Sequence, residues 1–536
     1  RVFQSAICNF PNDIKLNVMV CRAYALLVLF LFAETLFAQK GDPQMQYQLY
    51  FPQAEAHYVA VELHLDQQDT TETTLVLPVW TPGYYMILDN PAHIIDFEVQ
   101  ASEGVAIAWK KTSKNKWTIT HPKNTGLEVT YRVYANRTSV AESNVKETRA
   151  FLANTDIFMF PEGQKEAPIS VTFQLPENWE HIATGLEKVN QTTFYAASAD
   201  VLYDSPFYLG NQKMIEFQQL GKAFTLAVAT PEGLDEQQFV TDLREIILRT
   251  TDLMQHIPFE EYAFIMMEPG GGGLEHANSQ AVFTYGSFDF KTDADYKAFL
   301  NFITHEYFHL YNVKALRPIE LGPFDYSKEN YTTMLWVAEG FTVYYEYLIM
   351  RDADLITEED MLQYLSSHFQ AIENKKGKEH MSLERSSYDV WNHFLNNDAV
   401  SDATTISYYH KGPIIGLLLD LAIRHESENE KSLDDVMRAM YKTYFREQQR
   451  GYTEEEFWET VTQMAGKPLD ELRHYVETTE TPDYEKYLSY GALELDLTEN
   501  NNPSTERVER AYQLKRKTPE NKLQEEISKA LFRNYF

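Results

Sequence analysis

Cysteine is nearly missing from this chain of 536 residues, and both copies, Cys8 and Cys21, stand before Arg22. A form that sheds its first segment keeps no thiol, so no disulfide staples it and no cysteine serves as nucleophile or metal ligand. Positive charge is also scarce: 47 Lys and Arg face 79 Asp and Glu, a formal net charge of −32. That balance opposes binding to nucleic-acid phosphates and to anionic membrane surfaces. Long apolar runs are lacking too. The one apolar stretch near the start, Ala25 to Ala33, is too short to span a bilayer. With Arg22 before it and the small Ala38 after it, it reads as a secretory leader, with Met19 as a plausible start and cleavage after Ala38. No cysteine follows to carry a lipid, so the expectation is a soluble exported protein, periplasmic or secreted, with no stable membrane insertion once the leader is gone.

What is present is globular: 44% of residues are apolar and 14% aromatic. The length exceeds what one core organises, so several domains are expected. Residues 1–38 are read as upstream extension and leader, and residues 39–220 as a β-domain. Residues 221–340 form an α/β portion and residues 341–495 a helical portion of a second domain, followed by a charged, loosely attached tail over 496–536. Tyr58 to Leu65, Leu127 to Val133 and Ile169 to Phe173 alternate as half-buried strands do, which suggests a sandwich. Within this region Pro78 to Tyr85 is a stiff loop displaying Trp80, Tyr84 and Tyr85, either a packed aromatic corner or a wall facing a substrate. The fold class expected is multidomain α+β.

The chemistry concentrates in His305-Glu306-Tyr307-Phe308-His309. The flanking run lacks Gly and Pro, and Phe299, Phe302, Ile303, Phe308 and Leu310 recur at helical spacing. On a helix, residues four apart share a face, so both imidazoles can converge on one Zn²⁺ while Glu306 stands beside them as a base. A catalytic zinc takes three protein ligands and keeps one position open. Glu339, beyond the loop containing Gly322-Pro323, is the candidate third ligand. Glu346, two helical turns further, can accept the outer N–H of a ligand histidine.

His305 to His309 followed by Trp336-Val-Ala-Glu-Gly-Phe-Thr-Val-Tyr-Tyr345 resembles the gluzincin metallopeptidases, and more closely the bacterial glycyl aminopeptidase family. Gly272-Gly-Leu-Glu-His276, Asn312-Val-Lys314, Arg317-Pro318 and Pro78 to Tyr85 match further family motifs in the right order, across roughly residues 45 to 495. The resemblance implies an N-terminal β-domain joined to a thermolysin-like catalytic domain holding one Zn²⁺. It implies that Glu275 binds the substrate's α-amine, with Gly272, Gly273 and His276 lining the same stretch, and that Tyr409 of Ser407-Tyr-Tyr-His-Lys-Gly412 donates to the oxyanion. Arg317 is expected to neutralise a buried carboxylate. A following PDZ domain, usual in the family, is not expected here, because residues 496–536 contain no glycine for its carboxylate-binding loop.

The activity implied is zinc-dependent removal of N-terminal residues, glycine or small ones by the family's name, from peptides with a free N-terminus. Two alternatives stay open: an endopeptidase using the same centre, and an inactive peptide-binding protein. Oligomeric state is not written in the sequence.

Overall fold

The alternation at Tyr58–Gln68 becomes a strand with Val59, Val61, Leu63 and Leu65 buried. It lies between Met45–Gln53 and Thr125–Tyr134, antiparallel to both. These are the centre of a seven-stranded sheet. Two four-stranded sheets accompany it, and Tyr47, Leu49, Val129, Tyr131 and Trp117 share one core with residues from all three. This computed structural model describes residues 42–284, 288, 290–396, 398–502 and 507–533. The leader, its cleavage site and both cysteines lie outside the described residues.

A separate sheet of five strands follows. Lys222–Val228, Glu261–Pro269 and Ser279–Thr284 run parallel, and Lys213–Gln219 and Gly273–Glu275 close its two edges antiparallel. The domain boundary expected at residue 220 therefore moves toward the N-terminus. Lys213–Gln219 pairs in register with Lys222–Val228 and belongs to the five-stranded sheet, not to the sandwich.

Helices pack on this sheet and then dominate the chain. Asp293–Phe308, the motif helix, starts at a capping box in which Thr292 and Asp295 satisfy each other's backbone N–H. Phe299, Ile303 and Phe308 are buried from it. Gly340–Asp352, the glutamate helix, is almost wholly buried and crosses both the motif helix and Tyr408–Glu426, the tyrosine helix. Among the described residues no helix is long and apolar enough to cross a membrane.

The loosely attached tail is corrected. Leu493–Asn502 and Arg507–Arg516 pair as a hairpin, and Lys522–Leu531 is a helix. The hairpin docks on Glu358–Glu373: Leu514 N–H donates to Ser366 Oγ at 2.9 Å and Tyr512 N–H to Gln370 Oε1 at 2.9 Å. Leu514, Ile527, Leu531 and Phe532 are buried in the main core. Charged residues such as Glu494, Asp496, Lys515 and Lys517, which pair across this segment, gave it its tail-like composition.

Candidate active site

His305 and His309 sit one helical turn apart at the end of the motif helix, their Nε2 atoms 3.0 Å apart. Glu339, where the chain enters the glutamate helix, places Oε2 at 3.1 Å from His309 Nε2 and 3.6 Å from His305 Nε2. The outer nitrogens are held from behind. His305 Nδ1 donates to Glu346 Oε2 at 2.9 Å, and His309 Nδ1 to the Asn312 carbonyl at 2.7 Å. Those bonds put the ring protons on Nδ1 and leave both Nε2 lone pairs aimed at each other and at a carboxylate. Glu339 Oε2 is buried and accepts no hydrogen bond.

Lone pairs and a negative charge this close repel unless a cation lies between them. The electrostatics likewise favour positive charge at this spot. Burial alone would lower the His305 pKa, yet the carboxylates of Glu339 and Glu346 hold it well above the usual imidazole value. Burial would raise Glu339, and the two imidazoles bring it down. A buried nitrogen, nitrogen and oxygen set is the donor chemistry of a catalytic zinc site.

Asn312 was not singled out from sequence as a site residue. Directly after His309 the helix widens into a π turn over Leu310–Ala315, and Asn312 leaves helical geometry. Its side chain donates to the Val337 and Ala338 carbonyls at 2.9 and 3.1 Å. Thr342 Oγ1 donates to the Asn312 carbonyl at 3.0 Å. This clamp ties the two ligand-bearing segments together, and its one signal in sequence is an asparagine three positions after His309.

Glu306 is 5% exposed, and burial pushes its carboxyl up to about 7 against the pull of the neighbouring histidines. It faces Gly273, where a β-carbon would collide with Glu306 Oε1. Only glycine lets the edge strand pass this close. Glu275 lies on that strand, 5% exposed, with oxygens near those of Glu306 and the His309 nitrogen. No Lys or Arg among the described residues pairs with it. Its other side is bounded by Gly83 from the Pro78 to Tyr85 loop, which lines the site through Gly83 and Tyr84. Trp80 packs instead against Phe324 and Trp391. The loop is thus both aromatic corner and wall.

Tyr409 opens onto the cleft, its ring centroid 6.4 Å from that of His305. Burial first, then the Glu339 charge, keeps its phenol far above its ordinary pKa and hence protonated. Tyr408, 3% exposed, lies behind it with centroids 4.7 Å apart. Gly272, Gly273, Glu275, Glu306, His305, His309, Glu339, Glu346 and Tyr409 line one cleft of about 680 Å³, with no Lys or Arg among its described lining residues.

His276 is corrected. It is not in the cleft: its Nδ1 meets Asp204 Oδ1 at 3.3 Å, away from Glu275. His276 is the first residue past the strand Gly273–Glu275, and its ring turns toward Asp204. Lys314 also pairs with Asp204, at 2.5 Å; the buried carboxylate expected beside Arg317 is not found, since no ion pair of Arg317 occurs among the described residues and its Nε is buried without a hydrogen bond.

Residues 46–211 match the Peptidase M61 N-terminal domain and residues 298–415 match the M61 glycyl aminopeptidase domain. The chain belongs to the M61 peptidase family. Among solved structures it is similar to an aminopeptidase N family protein from Idiomarina loihiensis, with 27% identity over 86% of this chain and 80% of that one, at a TM-score of 0.81. It shares its fold with an M1 zinc metallopeptidase from Deinococcus radiodurans, at 15% identity over 82% of this chain and 95% of that one, TM-score 0.52. A variant of that protein bound to a Tyr-Ser-Ala substrate aligns at 16% identity over the same shares, TM-score 0.51. No curated protein sequence matches.

Proposed function

We propose that this chain is an exported zinc aminopeptidase that removes the first residue from peptides with a free N-terminus. The observation that carries this is Glu275, a buried carboxylate on the sheet edge with no Lys or Arg partner among the described residues, near Glu306 and His309. A carboxylate left so in a cleft without Lys or Arg has room for an ammonium group and gains from one.

His305 Nε2, His309 Nε2 and the Glu339 carboxylate would hold the zinc. Bound there, zinc supplies Lewis acidity, polarising the scissile carbonyl and easing deprotonation of water. Glu306 takes a proton from the attacking water as its oxygen adds to the carbonyl carbon, then delivers it to the departing amine as the C–N bond breaks. Its raised pKa suits both halves of that transfer. Tyr409 Oη–H donates to the oxygen that gains charge, a contact that strengthens in the transition state. Glu346 and the Asn312 carbonyl keep both imidazoles in the ligating tautomer. Glu275 sets the register, so that the first peptide bond is the one presented. A preference for glycine or other small first residues comes with the family description alone.

The test is a tetrapeptide against its N-acetylated twin, with zinc-loaded protein and product release followed by mass spectrometry. The free peptide should lose its first residue while the acetylated one stays intact. Equal cleavage of both would replace this reading with an endopeptidase, and cleavage of neither with a binding protein.

A further inference from the structure

We infer that Tyr347 and His368 are positioning residues for the metal centre: with His410 they form a hydrogen-bond chain that holds the Glu346 carboxylate, and through it the His305 ring, in the ligating orientation. The inference rests on the zinc part of the proposed function and not on recognition of a free N-terminus.

The chain threads four helices. Glu346 and Tyr347 are neighbours on the glutamate helix, and the Tyr347 phenol hydrogen-bonds the Glu346 carboxylate. The same phenol oxygen stands 2.9 Å from Nε2 of His368, which lies on the helix Glu358–Glu373. His368 Nδ1 in turn stands 3.0 Å from Nδ1 of His410 on the tyrosine helix. At the other end Glu346 Oε2 accepts from His305 Nδ1 of the motif helix at 2.9 Å. Glu346, Tyr347 and His368 are buried, whereas His410 reaches solvent.

Counting protons gives the chain a direction. Burial pushes the His368 pKa down to about 3, so its ring is neutral and offers one N–H and one lone pair to its two contacts. An ionised carboxylate only accepts, so the single phenol proton of Tyr347 belongs to Glu346. The phenol oxygen then accepts from His368 Nε2–H, and His368 Nδ1 accepts from His410 Nδ1–H. Every donor points toward Glu346, and such donors in line polarise one another. The opposite direction would turn a phenol lone pair against a buried carboxylate, which is costly.

Glu346 thus receives one donor from the Tyr347 side and one from His305. The Tyr364 ring stacks on Tyr347, with centroids 5.3 Å apart and planes 27° apart, and steadies the phenol. Without the Tyr347 hydroxyl the carboxylate is free to rotate, and the imidazole that it aims rotates with it. Glu346 alone does not fix its own direction; the chain behind it does.

The test is zinc affinity of the full chain, by competition with a chromophoric chelator. Tyr347→Phe keeps the stacked ring, removes the donor, and should weaken zinc about 10-fold, the low end of what such supporting partners contribute. In a Glu346→Ala background the same change should add nothing, because the group through which it acts is gone. His368→Leu should weaken zinc several-fold, and His368→Gln, whose amide N–H can stand where Nε2–H stood, should restore most of that loss. A Tyr347→Phe loss that keeps its full size in the Glu346→Ala background overturns the inference and leaves the zinc site standing. Unchanged affinity in both Tyr347→Phe and His368→Leu overturns it too. A parent chain that binds no zinc overturns this inference and the zinc site together.

Discussion

Gly340 and Gly412 cross backbone to backbone: a β-carbon on Gly412 would stand 2.7 Å from the Gly340 Cα, and one on Gly340 2.5 Å from the Gly412 Cα. Gly340 follows the ligand Glu339, and Gly412 lies one helical turn beyond Tyr409. This crossing sets how far the phenol stands from the proposed metal centre. Gly412→Ala should force the helices apart, lowering stability by about 1–3 kcal/mol. Misplacing the reacting groups by an ångström costs on the order of 100-fold in turnover. Scanning calorimetry and kcat on a free peptide check both.

Glu306 and Glu339 should separate cleanly. Glu306→Gln should retain zinc at one per chain and lose turnover by about 10²–10⁴-fold. Glu339→Ala should lose the metal itself. Atomic emission on the purified variants reads the difference, and chelation of the parent should abolish activity that added Zn²⁺ restores.

Tyr409→Phe should lower kcat by about 10²–10³-fold with KM little changed, the signature of a donor that acts on developing charge. Tyr408→Phe, behind it, should lose less. Full activity in Tyr409→Phe would remove this donor from the mechanism.

Glu346→Ala should weaken zinc affinity by about 10–100-fold while the ligands remain in place, since His305 would lose the acceptor that orients its ring. Competition against a chromophoric chelator measures it.

His368 gives a pH prediction away from the metal. It accepts from or donates to Tyr347 Oη at 2.9 Å and His410 Nδ1 at 3.0 Å, and burial pushes its pKa down to about 3. Between that value and the ordinary imidazole value near 6.5, the unfolded chain binds the proton and the folded one does not. Stability should therefore fall as pH drops through that window. His368→Gln should flatten that fall in urea-melt midpoints taken from pH 7 to pH 4.

The parts legible in sequence are those with a short period. Four-residue spacing brought His305 and His309 onto one face, and seven-residue spacing aligned Glu346 with Glu339. Two-residue alternation announced the sandwich strands. What sequence did not reveal is long-range. Nothing local to Gly83 says that it borders a carboxylate nearly two hundred positions later, and nothing local to Asn312 says its carbonyl faces His309. The C-terminal hairpin carries the same two-residue alternation at Leu493, Leu495 and Leu497, a signal outweighed by the segment's charged composition.

The bonds behind the two imidazoles also join separate parts of the chain. Glu346 reaches from the glutamate helix to His305, and the Asn312 side chain reaches the Val337 and Ala338 carbonyls just before Glu339. Whatever disturbs the packing of these segments therefore disturbs the aim of both rings, so substitutions in this seam act on stability and on the centre together.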